Sequence, residues 1–98
     1  MSFYSHYNRG KGIMNYILAV FRSRTQTQSF AETMRYYGVQ CSIVQTPTEA
    51  RVGCGLSAKF AATERARAER IISLRRLNSF AGFYGTRRVN GRSVISAL

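Results

Sequence analysis

The residues most able to do chemistry stand in PTEARVGCGL, residues 47–56, where Cys54 lies between Gly53 and Gly55, seven residues after the chain's only proline, Pro47. A cysteine attacks or accepts sulfur as its thiolate, a form favoured by nearby positive charge or a helix N-terminus. Arg51 stands three residues before the thiol. The two glycines remove side chains on either side and admit backbone angles closed to other residues. The pattern therefore describes an open, cation-flanked thiol. A plainer reading fits the same residues: Cys54 shares parity with Leu56, Ala58 and Phe60, so a strand that began early would bury it as a small hydrophobe. The glycines would then be turn formers and Pro47 a loop stiffener.

Other reactive groups are few. The second thiol, Cys41, forms no C-x-x-C pair with Cys54, and the lone His6 stands far along the chain from both. That excludes a zinc site or a disulfide framework, so no metal and no cofactor is expected. With no Asp in the sequence a Cys/His/Asp set cannot be assembled, and no general base accompanies the thiol. The expectation is a protein that is not an enzyme.

The elements that must position Cys54 are readable from periodicity. Residues 1–13 mix Ser, Asn, Gly and aromatics without a period and read as a flexible N-terminal arm, leaving residues 14–98 as one domain. NYILAVF, residues 15–21, reads as a central strand. In the following stretch Phe30, Met34 and Tyr37 recur at intervals of four and three, the signature of a helix. Ser23 or Thr25 can cap its start and Gly38 its end. VQCSIVQ, residues 39–45, reads as a half-buried strand with Cys41 toward the core, and Leu56, Ala58 and Phe60 mark a third strand. A second helix follows in TERARAERIISLRRLN, with Thr63 as cap and Ala68, Ile71, Ile72 and Leu74 on one side. SFAGFYGTRR reads as a fourth strand, and Asn90-Gly91 favours a terminal hairpin over residues 86–95.

This order predicts an α+β fold, a ferredoxin-like split β-α-β plait with a four-stranded antiparallel sheet carrying both helices on one face. In that arrangement the loop after the second strand lies at the same end of the sheet as the first helix's N-terminus. Arg22, Arg24 and the amides before Gln26 would then join Arg51 around Cys54.

Composition sets the outer limits. Ninety-eight residues, 45% hydrophobic, fit a single domain with one modest core. The longest apolar run, Tyr16 to Phe21, is far short of the ~20 residues of a membrane span, and the start lacks the features of a secretory signal. A cytoplasmic protein with no membrane partner is expected. Fifteen Lys and Arg against four Glu give a net charge of +11, which attracts acidic partners without naming them.

Pro47, Cys54 and Gly55, with the strand and helix before them, resemble a family of small selenium or sulfur carrier-like proteins. In that family a strand-helix-strand opening leads to a proline, a Cys-Gly pair follows seven residues later, and a small apolar strand comes next. The likeness covers about Asn15 to Tyr84. Family members tend to carry a basic residue after the proline and serines before the cysteine, where this chain has Thr48, Arg51, Val52 and Gly53. The resemblance implies that Cys54 is the carrier thiol, and that donor and acceptor proteins of sulfur or selenium transfer are its partners.

Two other readings stay open. A four-stranded plait exposes one sheet face on which aromatics and Arg can hold nucleic acid, and Gly82-Phe83-Tyr84-Gly85-Thr86-Arg87 has the Gly-aromatic character of an RNA-recognition strand. Alternatively the chain is an accessory protein-interaction domain that forms a homodimer through a sheet face or edge, with Tyr36, Tyr37, Phe83 and Tyr84 in the interface.

Overall fold

A computed structural model describes residues 14–50 and 52–98. The arm expected over residues 1–13, and the expected place of Arg51 beside the thiol, lie outside the described residues.

The first strand, β1 (Met14–Phe21), is central because nearly all of it is apolar. Ile17, Ala19 and Phe21 face one side of the sheet, Leu18 and Val20 the other, and all five are buried. Helix α1 (Arg24–Tyr36) begins at Ser23, whose hydroxyl accepts from the Gln26 amide and so satisfies one of the unpaired amides of the first turn. Thr27, Phe30, Ala31 and Met34 form its buried stripe. Gly38, at φ +85°, ends it, and its amide and that of Val39 donate to the carbonyls of Arg35 and Met34. Because the Val39 amide is spent on this cap, the next strand, β2 (Cys41–Gln45), starts two residues later than its apolar pattern suggests.

A connection containing the 3₁₀ turn Thr48–Ala50 leads to β3 (Leu56–Ala61). Helix α2 (Arg65–Leu74) is entered through a second 3₁₀ turn, Ala62–Glu64. Thr63 therefore lies inside that turn and does not cap the helix, and no side chain caps α2. Leu74, expected on the inner side, is 72% exposed, while Leu77 beyond the helix fills the core. The stripe of α2 is narrower than its apolar residues suggest because only Ala68 and Ile71 fall on the buried line.

Strands β4 (Phe80–Val89) and β5 (Arg92–Ala97) complete an antiparallel sheet in the order β2-β3-β1-β4-β5. The sheet has five strands where four were expected. Asn90 and Gly91 both adopt positive φ, 52° and 77°, the conformation of a tight type I′ turn, so the terminal hairpin pairs in register with β4 and extends the sheet.

Phe30, Ala31 and Met34 of α1 and Ala68 and Ile71 of α2 share one core with Ile17, Ala19, Phe21, Ala58, Phe60 and Phe83 of the sheet. Its aromatic rings run in a chain, Phe30 to Phe21 at 5.3 Å, Phe21 to Phe80 at 5.5 Å and Phe80 to Phe83 at 4.8 Å, each fully buried Phe contributing roughly 1.5–3 kcal/mol. Phe83 thus belongs to the core and is withdrawn from both the nucleic-acid strand and the dimer interface considered above. The helix-free face is not bare either. The β2–β3 connection folds back across it, burying Ala50, Val20 and Ser57, and its 3₁₀ turn packs against β5. Among the described residues no helix is long and apolar enough to cross a membrane.

Candidate functional site

Cys54 sits where the β2–β3 connection returns to the sheet. Its amide donates to the Phe21 carbonyl at 3.0 Å, pinning the residue to the end of β1, and the Thr46 amide closes the loop on the Gly55 carbonyl at 2.9 Å. Both flanking glycines are in the left-handed region, Gly53 at φ +94° and Gly55 at +95°. They differ in what surrounds them. A Cβ on Gly53 would lie 2.5 Å from Val20 Cγ1 and 2.9 Å from the Phe21 carbonyl oxygen, whereas one on Gly55 would meet open space. Gly53 is therefore required by close approach to β1, and Gly55 by backbone angle alone.

Cys54 is a half-buried residue, and its thiol has two hydrogen-bond partners among the described residues. The sulfur lies 3.6 Å from Thr27 Oγ1 and can donate to the Leu56 carbonyl, also at 3.6 Å. Thr27 is in the first turn of α1, and its hydroxyl also donates to the Ser23 carbonyl at 3.0 Å, so one proton can serve either partner. No carboxylate stands in that turn. The positive end of the helix dipole is thus not neutralised locally.

The structure brings this helix terminus and the Gly-Cys-Gly loop together. Arg22 and Arg24 stand at the same junction of β1 and α1 with exposed side chains, Arg22 fixed by its amide to the Ser79 carbonyl at 2.8 Å. Pro47 lies at the other end of the loop, its carbonyl accepting from the Ala50 amide at 3.0 Å to form the 3₁₀ turn. The junction is further clasped by Gln26, whose Oε1 accepts from the amide and hydroxyl of Ser79 at 2.9 and 2.7 Å, while its Nε2 donates to Asn78 at 3.0 Å.

Two participants escape the sequence reading. Thr27 continues the helical stripe four and three residues before Ala31 and Phe30, so its inward direction was available from periodicity, but its approach to Cys54 depends on a contact across 27 positions. Ser79 carries no motif at all. Among the described residues no three His, Cys, Asp or Glu side chains cluster as metal ligands.

The other thiol makes the contrast. Cys41 opens β2 pointing into the core, 8% exposed, and burial pushes its pKa up to about 11 against the lowering influence of Arg35. Its environment is that of a structural cysteine.

No curated protein and no solved structure matches the chain. A sequence profile of the family described as "Putative Se/S carrier protein-like" matches residues 16–80, about two thirds of the chain, from β1 to the start of β4 and including the whole loop that carries Cys54. The chain belongs to this family.

Proposed function

We propose that the protein is a sulfur or selenium carrier and that Cys54 is the atom of attachment. The observation that carries this reading is the position of the thiol: on a half-buried residue, between two glycines, against the first turn of α1. The Cys54 thiolate attacks the terminal sulfur of a donor protein's persulfide; the new S–S bond to Cys54 forms as the donor's S–S bond breaks. The donor leaves as a thiol carrying the proton that Cys54 gave up, and no net oxidation occurs. An acceptor thiol repeats the step in reverse. With selenium the transferred terminal atom is selenium and the electron count is the same. The Thr27 hydroxyl and the helix dipole meet the negative charge that develops at the sulfur. No general base or cofactor enters this scheme, because donor and acceptor supply the reacting groups.

The order β2-β3-β1-β4 with both helices packed on one core supports reading the first four strands as a split β-α-β plait to which β5 is added. The test of function is intact mass spectrometry after incubation with a cysteine desulfurase and cysteine. A gain of one sulfur atom, absent in Cys54→Ser and retained in Cys41→Ala, is expected. Protein that stays unmodified while a known carrier is loaded in parallel would defeat the reading.

A further inference from the structure

The helix-free face carries a second concavity that the thiol chemistry does not use. Its floor and walls are Leu18 of β1, Val44 of β2, Ile95 of β5 and Pro47 of the folded-back loop, and it encloses about 340 Å³. That is within the size range of small-ligand clefts. Its cations come from strands on both sides of β1: Lys59 from β3 and Arg88 from β4, the latter also donating to the Gly91 carbonyl at 2.9 Å, while Arg87 reaches the cleft's edge from the residue that alternates to the other face. No carboxylate is among the described lining residues.

The register explains why these groups converge. Leu18 pairs with Lys59 on one side and Tyr84 on the other, and Tyr16 pairs with Thr86, so Tyr16, Leu18, Lys59 and Thr86 share the helix-free face. A bulge between Met14 and Tyr16 shifts β1 against β4 at the cleft's edge and brings Asn15 into its wall. Tyr16 is 44% exposed, with Lys59 Nζ 4.5 Å from its ring centroid. The lysine is thereby held over the aromatic ring in place of extending into water.

An exposed aromatic ring, an apolar floor and two cations with no carboxylate among the described lining residues match a ligand with a flat ring and a phosphate. We infer that this cleft binds a nucleotide, the base against Tyr16 and the Leu18–Val44–Ile95 floor and the phosphate between Lys59 and Arg88. Stacking on an aromatic with cations for the backbone is how nucleotides are held without base-specific bonds. An acidic protein segment would use the cations but leave the ring and floor unfilled.

The inference is independent of the carrier reading, and the test separates them. Fluorescently labelled single-stranded octauridylate is titrated at low salt, with unlabelled uridine monophosphate and, separately, inorganic phosphate as competitors. Binding is expected, weakened about tenfold or more in Lys59→Ala and in Arg88→Ala, weakened in Tyr16→Leu, and unchanged in Cys54→Ala. Competition by the mononucleotide identifies the free nucleotide as sufficient; binding of the oligonucleotide alone identifies a nucleotide within a strand. Lys59→Gln, with circular dichroism as the folding check, guards against a structural artefact. The inference is overturned by absence of binding, by affinity that survives loss of Lys59 and Arg88, or by inorganic phosphate or a polyglutamate peptide displacing the probe as well as the nucleotide does.

Discussion

Thr27 Oγ1 and Cys54 Sγ lie 3.6 Å apart, joining the first turn of α1 to a loop residue 27 positions along the chain. Among the described residues the hydroxyl is the sulfur's side-chain hydrogen-bond partner, and the thiol of Cys41 has none in its buried setting. Native protein treated with iodoacetamide should therefore be alkylated at Cys54 and not at Cys41, with both modified after denaturation; peptide mapping reads the outcome. Thr27→Val keeps the shape but removes the donor. It should slow Cys54 alkylation severalfold and destabilise the fold by about 1 kcal/mol through the side-chain hydrogen bond to Ser23 that it also breaks.

The two glycines around the thiol should respond unequally to alanine. Gly55→Ala introduces only the left-handed backbone cost, about 1–2 kcal/mol. Gly53→Ala adds a collision with Val20 and with the main chain of Phe21, and should cost more, about 3 kcal/mol or above. Urea denaturation of both variants decides it; equal losses would show that the loop can lift off β1 freely.

Raising pH should weaken the fold through Cys41. Its folded-state pKa is raised, so the neutral thiol is favoured by folding and both states bind the proton equally below about pH 9. Between 9 and about 11 the unfolded chain releases that proton first, and stability falls, by about 2–3 kcal/mol at most. Cys41→Ala will have its own cavity cost at neutral pH, but its stability should decline less over this window. Parallel slopes for the two proteins in denaturant titrations across this range would contradict the assignment.

Gln26 ties the start of α1 to the segment before β4 through Ser79 and Asn78. Gln26→Ala leaves the Ser79 amide without this partner and should cost about 1–2 kcal/mol. Because the same turn carries Thr27, loading of Cys54 with sulfur should also slow, a combination that loss of stability at a remote surface site would not produce.

Much of this architecture could be read before any coordinates. Ser23, Phe30, Met34 and Gly38 mark α1 because capping and a 3.6-residue period are local properties. Asn90-Gly91 marks its turn for the same reason. The fifth strand was undercounted because Arg92 to Ala97 lacks clean alternation; its place comes from pairing with β4, which the turn enforces. Leu74 was misassigned since apolar identity alone does not reveal which residues of a short helix meet the sheet. Around the thiol, Gly53, Cys54 and Gly55 were visible as a motif, but Thr27, Ser79 and the face shared by Tyr16 and Lys59 arise from contacts between distant strands and helices.

The hydrogen bond from the Cys54 amide to the Phe21 carbonyl has a consequence for cargo handling. On the carrier reading proposed above, it fastens the attachment point by main-chain atoms, so the sulfur can take on a further sulfur or selenium atom without disturbing what moors the residue. The mooring is indifferent to the freight.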